Sequence, residues 1–286
     1  MSIPVIIAIS AAALLLLLFI IYLILLMPRR NHPGWEQFSG FRYAHRGLHD
    51  KEAGIPENSL AAFRRAVEHG FGSELDVHLL RDGSLAVFHD FNLKRMCGAD
   101  VLIESLTAEE LKSYTLLGTE EHIPMLEEVL AVFEGKTPLI IELKVDNNTI
   151  DTLASGENNV AALTDAVMDM LKSWNGTYCI ESFHPGVVAH LKKHFPNVIR
   201  GQLSENFMKN PKVRFIPAFP MTYLLSTVLT RPDFIAYAHK DRSCISLKLM
   251  RRIYGVHEVG WTIREQATME ALEQDGVTPI FENFIP

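Results

Sequence analysis

The amino-acid sequence predicts a TIM (β/α)8 barrel over residues 41–286, preceded by one transmembrane helix. Short apolar runs alternate with amphipathic stretches along this region, which is typical of parallel strands joined by crossover helices. Eight such runs also fit the usual length of a barrel, about 250 residues. The predicted strands lie at 41–45, 73–80, 138–144, 177–182, 197–203, 233–239, 258–263 and 278–281.

Helices are predicted between these strands from their apolar periodicity and their end signals. The first is expected over 59–69, where Asn58 is placed to cap the helix and Gly70 follows its last turn. The helix before the third strand is expected to begin near Leu126. Further helices are predicted near 160–172, 186–194, 245–253 and 265–274.

Three stretches interrupt the regular alternation. Asp82 and Gly83 form a two-residue hairpin signal, which predicts an antiparallel return strand at 85–89. A small insertion is expected at about 91–124, before the third strand of the barrel. The segment 213–230 is apolar and broken by prolines, and it could face lipid, act as a lid or pack on the barrel.

The N-terminal segment has the composition of a membrane anchor. Residues 3–27 carry no charged side chain and exceed the roughly 20 residues that a helix needs to cross a bilayer. A cleavable signal peptide is the alternative, but a basic start and a small-residue cleavage site are not evident. Arg29 and Arg30 follow the span, so the positive-inside tendency predicts a single-pass cell-membrane protein with a cytoplasmic catalytic domain. We therefore expect an anchor at 1–28 and a linker at 29–40 before the barrel.

Composition and motifs argue against several other classes of protein. The net charge of −7 argues against an electrostatic nucleic-acid binder, so no nucleic-acid partner is expected. The three cysteines are odd in number and widely spaced, which excludes a disulfide framework and a CxxC metal or redox motif. A doubly wound open sheet is the alternative architecture, but its glycine-rich phosphate loop does not follow the first predicted strand.

Charged side chains occur where the first predicted strands end, which is where a barrel carries its active site. These residues are His45, Arg46, Glu74, Asp76, His89, Glu142 and Lys144. Because successive side chains of a strand alternate in direction, the two charged residues of each ExD or ExK motif share one face. A solvated strand face or a simple ion pair would explain one such motif, whereas several neighbouring strand ends favour a functional site.

The residue types at these strand ends indicate metal-assisted cleavage of a phosphodiester. Three crowded carboxylates repel one another unless a cation lies among them, and hard divalent ions such as Mg²⁺ or Ca²⁺ prefer oxygen ligands. Arg46 and Lys144 suit an anionic substrate such as a phosphate. Two histidines on opposite sides of the site could serve as general base and general acid.

The order and spacing of five motifs resembles the glycerophosphodiester phosphodiesterase family. They are HRG at 45–47, PEN at 56–58, ExD at 74–76, HD at 89–90 and ExK at 142–144. Each motif is weak by itself, but the combination is highly specific. The resemblance extends over essentially the whole predicted barrel, and together with the apolar N-terminal segment it indicates a bacterial, membrane-anchored member of the family.

This resemblance implies a TIM-barrel hydrolase that cuts glycerophosphodiesters into sn-glycerol 3-phosphate and an alcohol during phospholipid turnover. It also implies that the insertion covers the mouth where the glycerol end binds. The departures lie late in the chain, where the last strand reads PIFENF and no functional residue is carried over. The roles implied are acid–base catalysis by His45 and His89, a divalent metal (Mg²⁺ or Ca²⁺, with Mn²⁺ as an alternative) on Glu74, Asp76 and Glu142, and substrate contacts from Arg46, Glu57, Lys144, Phe183 and Trp261.

Three alternative functions stay open at this point. A lysophospholipase D-like enzyme would use the same site on lysophospholipids, with residues 3–27 holding it at the bilayer. A phospholipase C-like enzyme on the same fold would pass through a cyclic phosphate. A non-catalytic barrel that only binds its ligand is the third alternative, and loss of a histidine or carboxylate would be its expected signature.

Overall fold

Eight parallel strands close into a barrel in the structure, a computed structural model that describes residues 2–29, 34–145, 156–211, 213 and 215–286. The strands are β1 (Tyr43–His45), β2 (Gly72–Leu79), β3 (Leu85–Val87), β4 (Leu139–Leu143), β5 (Tyr178–Ser182), β6 (Arg200–Ser204), β7 (Phe234–Ala238), β8 (His257–Ile263) and β9 (Thr278–Phe281). β3 is the antiparallel partner of β2, and the others pair in parallel in chain order until β9 returns to β1. The predicted barrel and its hairpin are therefore confirmed.

Helices surround the strands and connect them. They are α1 (Ile3–Leu26), α2 (Leu60–Glu68), α3 (Lys94–Cys97), α4 (Ala108–Leu111), α5 (Leu126–Phe133), α6 (Gly156–Leu171), α7 (Pro185–His194), α8 (Phe215–Thr222), α9 (Thr227–Thr230), α10 (Ile245–Leu249) and α11 (Gln266–Gln274). α10 continues into a π-helical turn at Met250–Tyr254. Short 3-10 turns lie at Trp35–Gln37, Ile103–Ser105, Phe207–Lys209 and His239–Asp241.

The cap of α2 differs from the sequence prediction. Ser59, rather than Asn58, caps the helix, and its Oγ accepts a hydrogen bond from the amide of Ala62 at 3.1 Å. Asn58 instead has a φ of +54° and donates from Nδ2 to Asp76 Oδ2 at 3.0 Å. Serine and asparagine are similarly good caps, so the contact with a distant strand, rather than local preference, decides which of them starts the helix.

Residues 34–40, which the sequence analysis placed in a linker, lie under the amino-terminal end of the barrel. Trp35 is buried there, with its ring centroid 5.0 Å from that of Phe234 and 4.8 Å from that of His257. Phe234 fills the barrel interior beside Gly201, where a Cβ atom would lie 2.2 Å from the phenyl ring. The barrel interior is therefore filled by aromatic rings at this end.

Replacing Trp35 with alanine is expected to destabilise the protein by about 3–5 kcal/mol, because the substitution leaves a cavity among packed rings. Glu36→Ala is the matched control, since Glu36 lies in the same turn and its side chain is exposed. The control should change stability by less than about 0.5 kcal/mol. Urea unfolding of the full chain in detergent measures both variants, and equal midpoints for the two would contradict this packing.

The insertion between β3 and α5 forms a small layer with its own apolar core. Leu93, Met96, Ile103 and Leu111 are buried in it. Its helix α3 lies beside the carboxyl-terminal end of the barrel, so Arg95 reaches the charged residues described below. The insertion thus contributes one side of the site.

The helix α1 is long and apolar enough to cross a membrane, with a mean hydropathy of 3.0 over its most apolar stretch. It is the single helix of this kind among the residues that the structure describes. Residues 3–21 are exposed, whereas Leu26 is fully buried against the barrel. The helix is therefore free of the barrel over most of its length and packed on it only at its last turn.

Candidate active site

Three carboxylates from two neighbouring strands meet at the carboxyl-terminal end of the barrel. Asp76 on β2 lies opposite Glu142 on β4 in the parallel register, and Glu74 lies two residues earlier on the same face as Asp76. All three are buried, and one oxygen from each lies within 4.8 Å of the others. The structure therefore brings the three predicted metal ligands together.

The electrostatics of these carboxylates fit a divalent cation. Burial raises the pKa of Glu74 well above its ordinary value, and Asp76 and Glu142 raise it further. Burial also raises the pKa of Glu142, although Lys144 opposes this shift. Burial acts on Asp76 in the same direction, but Lys144 and His89 hold its pKa below the ordinary value. A divalent ion would allow all three groups to ionise, and oxygen donors are the ligands that Mg²⁺ and Ca²⁺ prefer.

Two basic side chains contact the same carboxylates. Lys144 Nζ lies 3.0 Å from Glu142 Oε1 and 3.3 Å from Asp76 Oδ1, and these neighbours raise its pKa although burial opposes them. Arg46 donates from Nη1 to Glu57 Oε1 at 2.7 Å. The Nε atom of Arg46 is buried, lies 3.4 Å from Asp76 Oδ2 and makes no hydrogen bond. The site thus holds a buried donor that a phosphate oxygen could accept from.

His45 is fixed by a carboxylate that the sequence analysis did not assign. Its Nδ1 atom lies 2.5 Å from Glu282 Oε2, and its Nε2 atom lies 3.8 Å from Glu74 Oε2. Arg264 Nη2 lies 2.5 Å from the other oxygen of Glu282, which holds this carboxylate in place. Burial lowers the pKa of His45, while its hydrogen bond to Glu282 opposes the shift. A neutral imidazole with Nδ1–H donating to Glu282 presents a free lone pair on Nε2 to the carboxylate cluster.

His89 lies on the side of the insertion and is one-third exposed. Its Nδ1 atom lies 2.6 Å from Asp90 Oδ1, so this contact does not use the Nε2 atom. Arg95 donates from Nε to Asp90 Oδ2 at 2.6 Å and from Nη2 to Glu57 Oε1 at 2.6 Å. Each histidine is therefore oriented by a carboxylate, and each of these carboxylates is held by an arginine.

Two cavities lie beside these residues, and charged side chains border both. A cavity of about 420 Å³ opens next to the first strand, and a second of about 450 Å³ opens on the side of His89. Arg95 borders both cavities. The charged residues around the first cavity include His45, Arg46, Glu57, Arg95, Arg264 and Glu282. Three arginines at one cavity favour an anionic ligand.

The two predicted aromatic contacts lie elsewhere on the same end of the barrel. Phe183 and Trp261 pack edge to face with ring centroids 5.6 Å apart, and Phe207 packs on Phe183 at 5.9 Å. Neither predicted residue lines the two charged cavities. The Nε1 atom of Trp261 is buried without a hydrogen-bond partner. This pair can form an apolar wall, separate from the charged side of the site.

Charged residues of this site that were not predicted from the sequence include Glu282, Arg95, Arg264 and Glu181. Glu181 on β5 lies opposite Glu142, is buried, and has a pKa raised by burial and by Glu142 and Asp76. For Glu181 and Glu282 a signal existed, because each follows an apolar run at the end of a predicted strand. No comparable signal existed for Arg95, which lies on a short helix of the insertion.

Comparisons with known proteins show the family to which this fold and sequence belong. The model of the glycerophosphoryl diester phosphodiesterase family matches residues 45–286. A glycerophosphodiester phosphodiesterase of Caldanaerobacter subterraneus subsp. tengcongensis is 32% identical over 249 residues, covering 83% of this chain and 91% of that protein. A lysophospholipase D, GDPD1, of Rattus norvegicus is 38% identical over 107 residues, covering 33% of this chain and 34% of that protein.

Among solved structures, an Oleispira antarctica phosphodiesterase in complex with the product sn-glycerol-3-phosphate has a TM-score of 0.66 and 23% identity. The match covers 86% of this chain and 94% of that chain, and at this identity it supports the fold. The family match extends over nearly all of the barrel and includes every motif that carries the charged site. The chain therefore belongs to the glycerophosphoryl diester phosphodiesterase family, a family of phosphoric diester hydrolases.

Proposed function

We propose that this protein hydrolyses glycerophosphodiesters to sn-glycerol 3-phosphate and an alcohol in a metal-dependent reaction. The observation that carries the proposal is the cluster of three buried carboxylates whose oxygens lie within 4.8 Å of one another. A histidine lies on either side of this cluster, and each has its Nδ1 atom fixed by a further carboxylate. Such a cluster is costly to bury without a cation, and two oriented imidazoles can supply the two proton transfers of diester hydrolysis.

The metal would be held by Glu74, Asp76 and Glu142, which suit Mg²⁺ or Ca²⁺ and would also accept Mn²⁺. When bound, it would polarise the phosphate and compensate its negative charge. Arg46 would bind a phosphate oxygen through the buried Nε atom that now makes no hydrogen bond. Lys144 would add a second positive charge beside the phosphate.

The two histidines would move the protons of the reaction. His45 would accept a proton from the attacking water at Nε2, because its Nδ1 donates to Glu282. As the new P–O bond forms, the P–O bond to the alcohol breaks, and His89 would protonate the departing oxygen. Glu282 and Asp90 would act as positioning residues that fix the tautomer and ring orientation of each histidine.

The glycerol and alcohol ends of the substrate would lie on different walls of the site. Glu57 is held by Arg46 and Arg95 at the charged cavity, where its carboxylate can accept hydrogen bonds from glycerol hydroxyls. Phe183 and Trp261 would contact the less polar part of the substrate. This division favours a substrate with one polar and one more apolar end.

Lysophospholipids are the second candidate substrates, for reasons that concern both sequence and structure. A relative that matches about a third of this chain is a lysophospholipase D. The exposed part of α1 is suited to a bilayer, which would place the enzyme at the surface where lysophospholipids reside. In either case the reaction would serve phospholipid turnover.

We place the enzyme in the cell membrane as a single-pass protein with its barrel in the cytoplasm. The basic residues that follow α1 support this orientation, namely Arg29 and Arg30, of which Arg30 lies outside the described residues. Protease added to intact cells should leave the barrel uncut and should cut it once the membrane is permeabilised. Cleavage of the barrel in intact cells would show that the barrel lies outside the cell, which is the opposite orientation.

The reaction is tested by incubating the purified full chain with glycerophosphocholine and with lysophosphatidylcholine, and by identifying the phosphorus products by ³¹P NMR. We expect glycerol 3-phosphate from the first substrate, and lysophosphatidate from the second if it is used. A cyclic phosphate would indicate the phospholipase C-like alternative. Binding of either substrate without any product would indicate the non-catalytic barrel.

A further inference from the structure

The end of α1 runs along the barrel in the direction opposite to the strands. Tyr22 Oη and Ser246 Oγ, at the start of α10, lie 2.6 Å apart and share a hydrogen bond. Further along, the amide of Arg29 donates to the carbonyl of Pro232 at 2.9 Å, just before β7 begins. Because α10 starts at the carboxyl-terminal end of β7, the chain passes from the catalytic end at Tyr22 to the opposite end at Arg29.

This contact is fixed by several side chains rather than by one. Thr227 donates from Oγ1 to the carbonyl of Leu25 at 2.9 Å, and Tyr254 donates from Oη to the carbonyl of Leu23 at 2.7 Å. Arg231 donates from Nη1 to the carbonyl of Ile24 at 3.0 Å. These bonds reach carbonyls of the last helical turn, where the regular amide donors of the helix run out. These hydrogen bonds therefore fix the direction of α1 relative to the barrel.

The part of α1 that does not touch the barrel has the length of a membrane span. Residues 3–21 are exposed, and 19 helical residues extend about 28 Å at a rise of 1.5 Å per residue. The hydrocarbon core of a bilayer is about 30 Å thick. The boundary between lipid and water would thus lie near Tyr22, at the level of the catalytic end of the barrel.

An apolar surface lies at this same level. Helix α8 is attached to the catalytic end, because Ser204, the last residue of β6, donates from Oγ to the carbonyl of Met221 at 2.8 Å. The residues from 215 to 230 include no charged side chain. Four large apolar side chains are exposed here, on α8 and at the start of α10, and we call them the apolar rim: Phe215, Ile216, Phe219 and Ile245.

We infer that the catalytic end of the barrel faces the bilayer and that the apolar rim rests in the lipid surface. This inference rests on the membrane anchor of the proposed function and adds the orientation of the active site to it. We assign a lipid surface, rather than a protein, as the partner of the apolar rim. The reason is that the rim lies at the same level as Tyr22, where α1 leaves the barrel. A substrate embedded in the membrane would then reach the site without crossing the water layer.

The orientation is tested with a fluorescent label on single cysteines of the full chain, in vesicles of phosphatidylcholine and phosphatidylglycerol. The background carries Cys97→Ser and Cys244→Ser, since Cys179 is fully buried. Ile216→Cys, at a side chain that is 83% exposed, should be quenched by brominated lipids. Leu229→Cys is the matched control, because Leu229 is 62% exposed in the same connection but lies at the opposite end of the barrel.

Quenching at position 216 without quenching at 229 is the expected result. Equal values at the two positions, or stronger quenching at 229, would overturn the inference. A chain that does not float with the vesicles would refute the anchor itself, and the inference would fall with it. Because the label does not depend on turnover, failure of the proposed reaction is distinguishable from failure of the orientation.

A second experiment gives a functional readout. The double variant Ile216→Asp and Phe219→Asp is expected to hydrolyse vesicle-embedded lysophosphatidylcholine about tenfold more slowly, because charged side chains are expelled from the lipid surface. Its activity on water-soluble glycerophosphocholine should stay within about twofold, which also reports that the variant folds. Leu229→Asp should affect neither substrate. Equal losses on both substrates in the double variant, or no loss on either, would contradict a membrane role for the rim.

Discussion

Replacing His45 with glutamine is expected to lower turnover by about 10²–10⁴-fold while the protein keeps its fold and its metal. Glutamine can retain the hydrogen bond to Glu282, which now joins His45 Nδ1 to Glu282 Oε2 at 2.5 Å. It cannot accept a proton at the position of Nε2, so general base catalysis is lost. Steady-state hydrolysis of glycerophosphocholine, with circular dichroism as a check on folding, measures the effect.

His49→Gln is the matched control for this variant. His49 lies near the same carboxylate, with its Nε2 atom 3.9 Å from Glu282 Oε2, whereas it is His45 whose Nε2 atom lies 3.8 Å from Glu74 Oε2 in the carboxylate cluster. Its replacement should cost less than about tenfold in turnover, since only the support of Glu282 is weakened. Near-full activity of His45→Gln, or an equal loss in the control, would show that His45 is not the base.

Replacing Glu74 with glutamine is expected to weaken binding of the divalent metal by about a hundredfold or more and to abolish turnover. The substitution removes one of three anionic oxygen ligands and keeps the side-chain volume. In the metal-free protein the variant should be at least as stable as the parent, because the pKa of Glu74 is raised by burial and by neighbouring carboxylates. A neutral amide at this position avoids that repulsion.

Calorimetric titration with Ca²⁺ and Mg²⁺ measures the affinity, and thermal unfolding with and without metal measures the linked stability. At a metal concentration of 100 times Kd the parent should gain about 2.7 kcal/mol, and Glu74→Gln should gain almost none. Glu104→Gln serves as the control, since Glu104 lies in the insertion and pairs with His78 on β2 rather than with the cluster. A variant that binds metal as tightly as the parent would refute Glu74 as a ligand.

The sequence predicted those parts of the site that a strand register determines. ExD and ExK place two charged side chains on one face of a strand, and the parallel pairing of β2 with β4 then brings Asp76 beside Glu142. The carboxyl ends of all parallel strands in a barrel lie at the same end. The alternation of side chains along each strand is therefore enough to predict that these residues meet. The barrel itself was predictable for the same reason.

The remaining contacts depend on closure of the barrel and on packing of its surroundings. Glu282 reaches His45 only because β9 pairs with β1, which joins residues 237 positions apart in the chain. Arg95 reaches Glu57 through the insertion, whose packing on the barrel no periodicity describes. The contact of α1 with the barrel could not be predicted from the sequence either. Leu26 is buried against the barrel, but it belongs to the same uniform apolar run as the residues before it.

The most direct test of the account is the release of glycerol 3-phosphate by the full chain after its metal has been removed with a chelator. The protein is kept in detergent micelles, glycerophosphocholine is added in solution, ³¹P NMR follows the products, and Ca²⁺ or Mg²⁺ is then supplied. We expect no glycerol 3-phosphate before the metal is added and continuous release afterwards. Undiminished release in the presence of excess chelator, or no release with any divalent metal from a folded protein, would contradict a metal-dependent glycerophosphodiesterase.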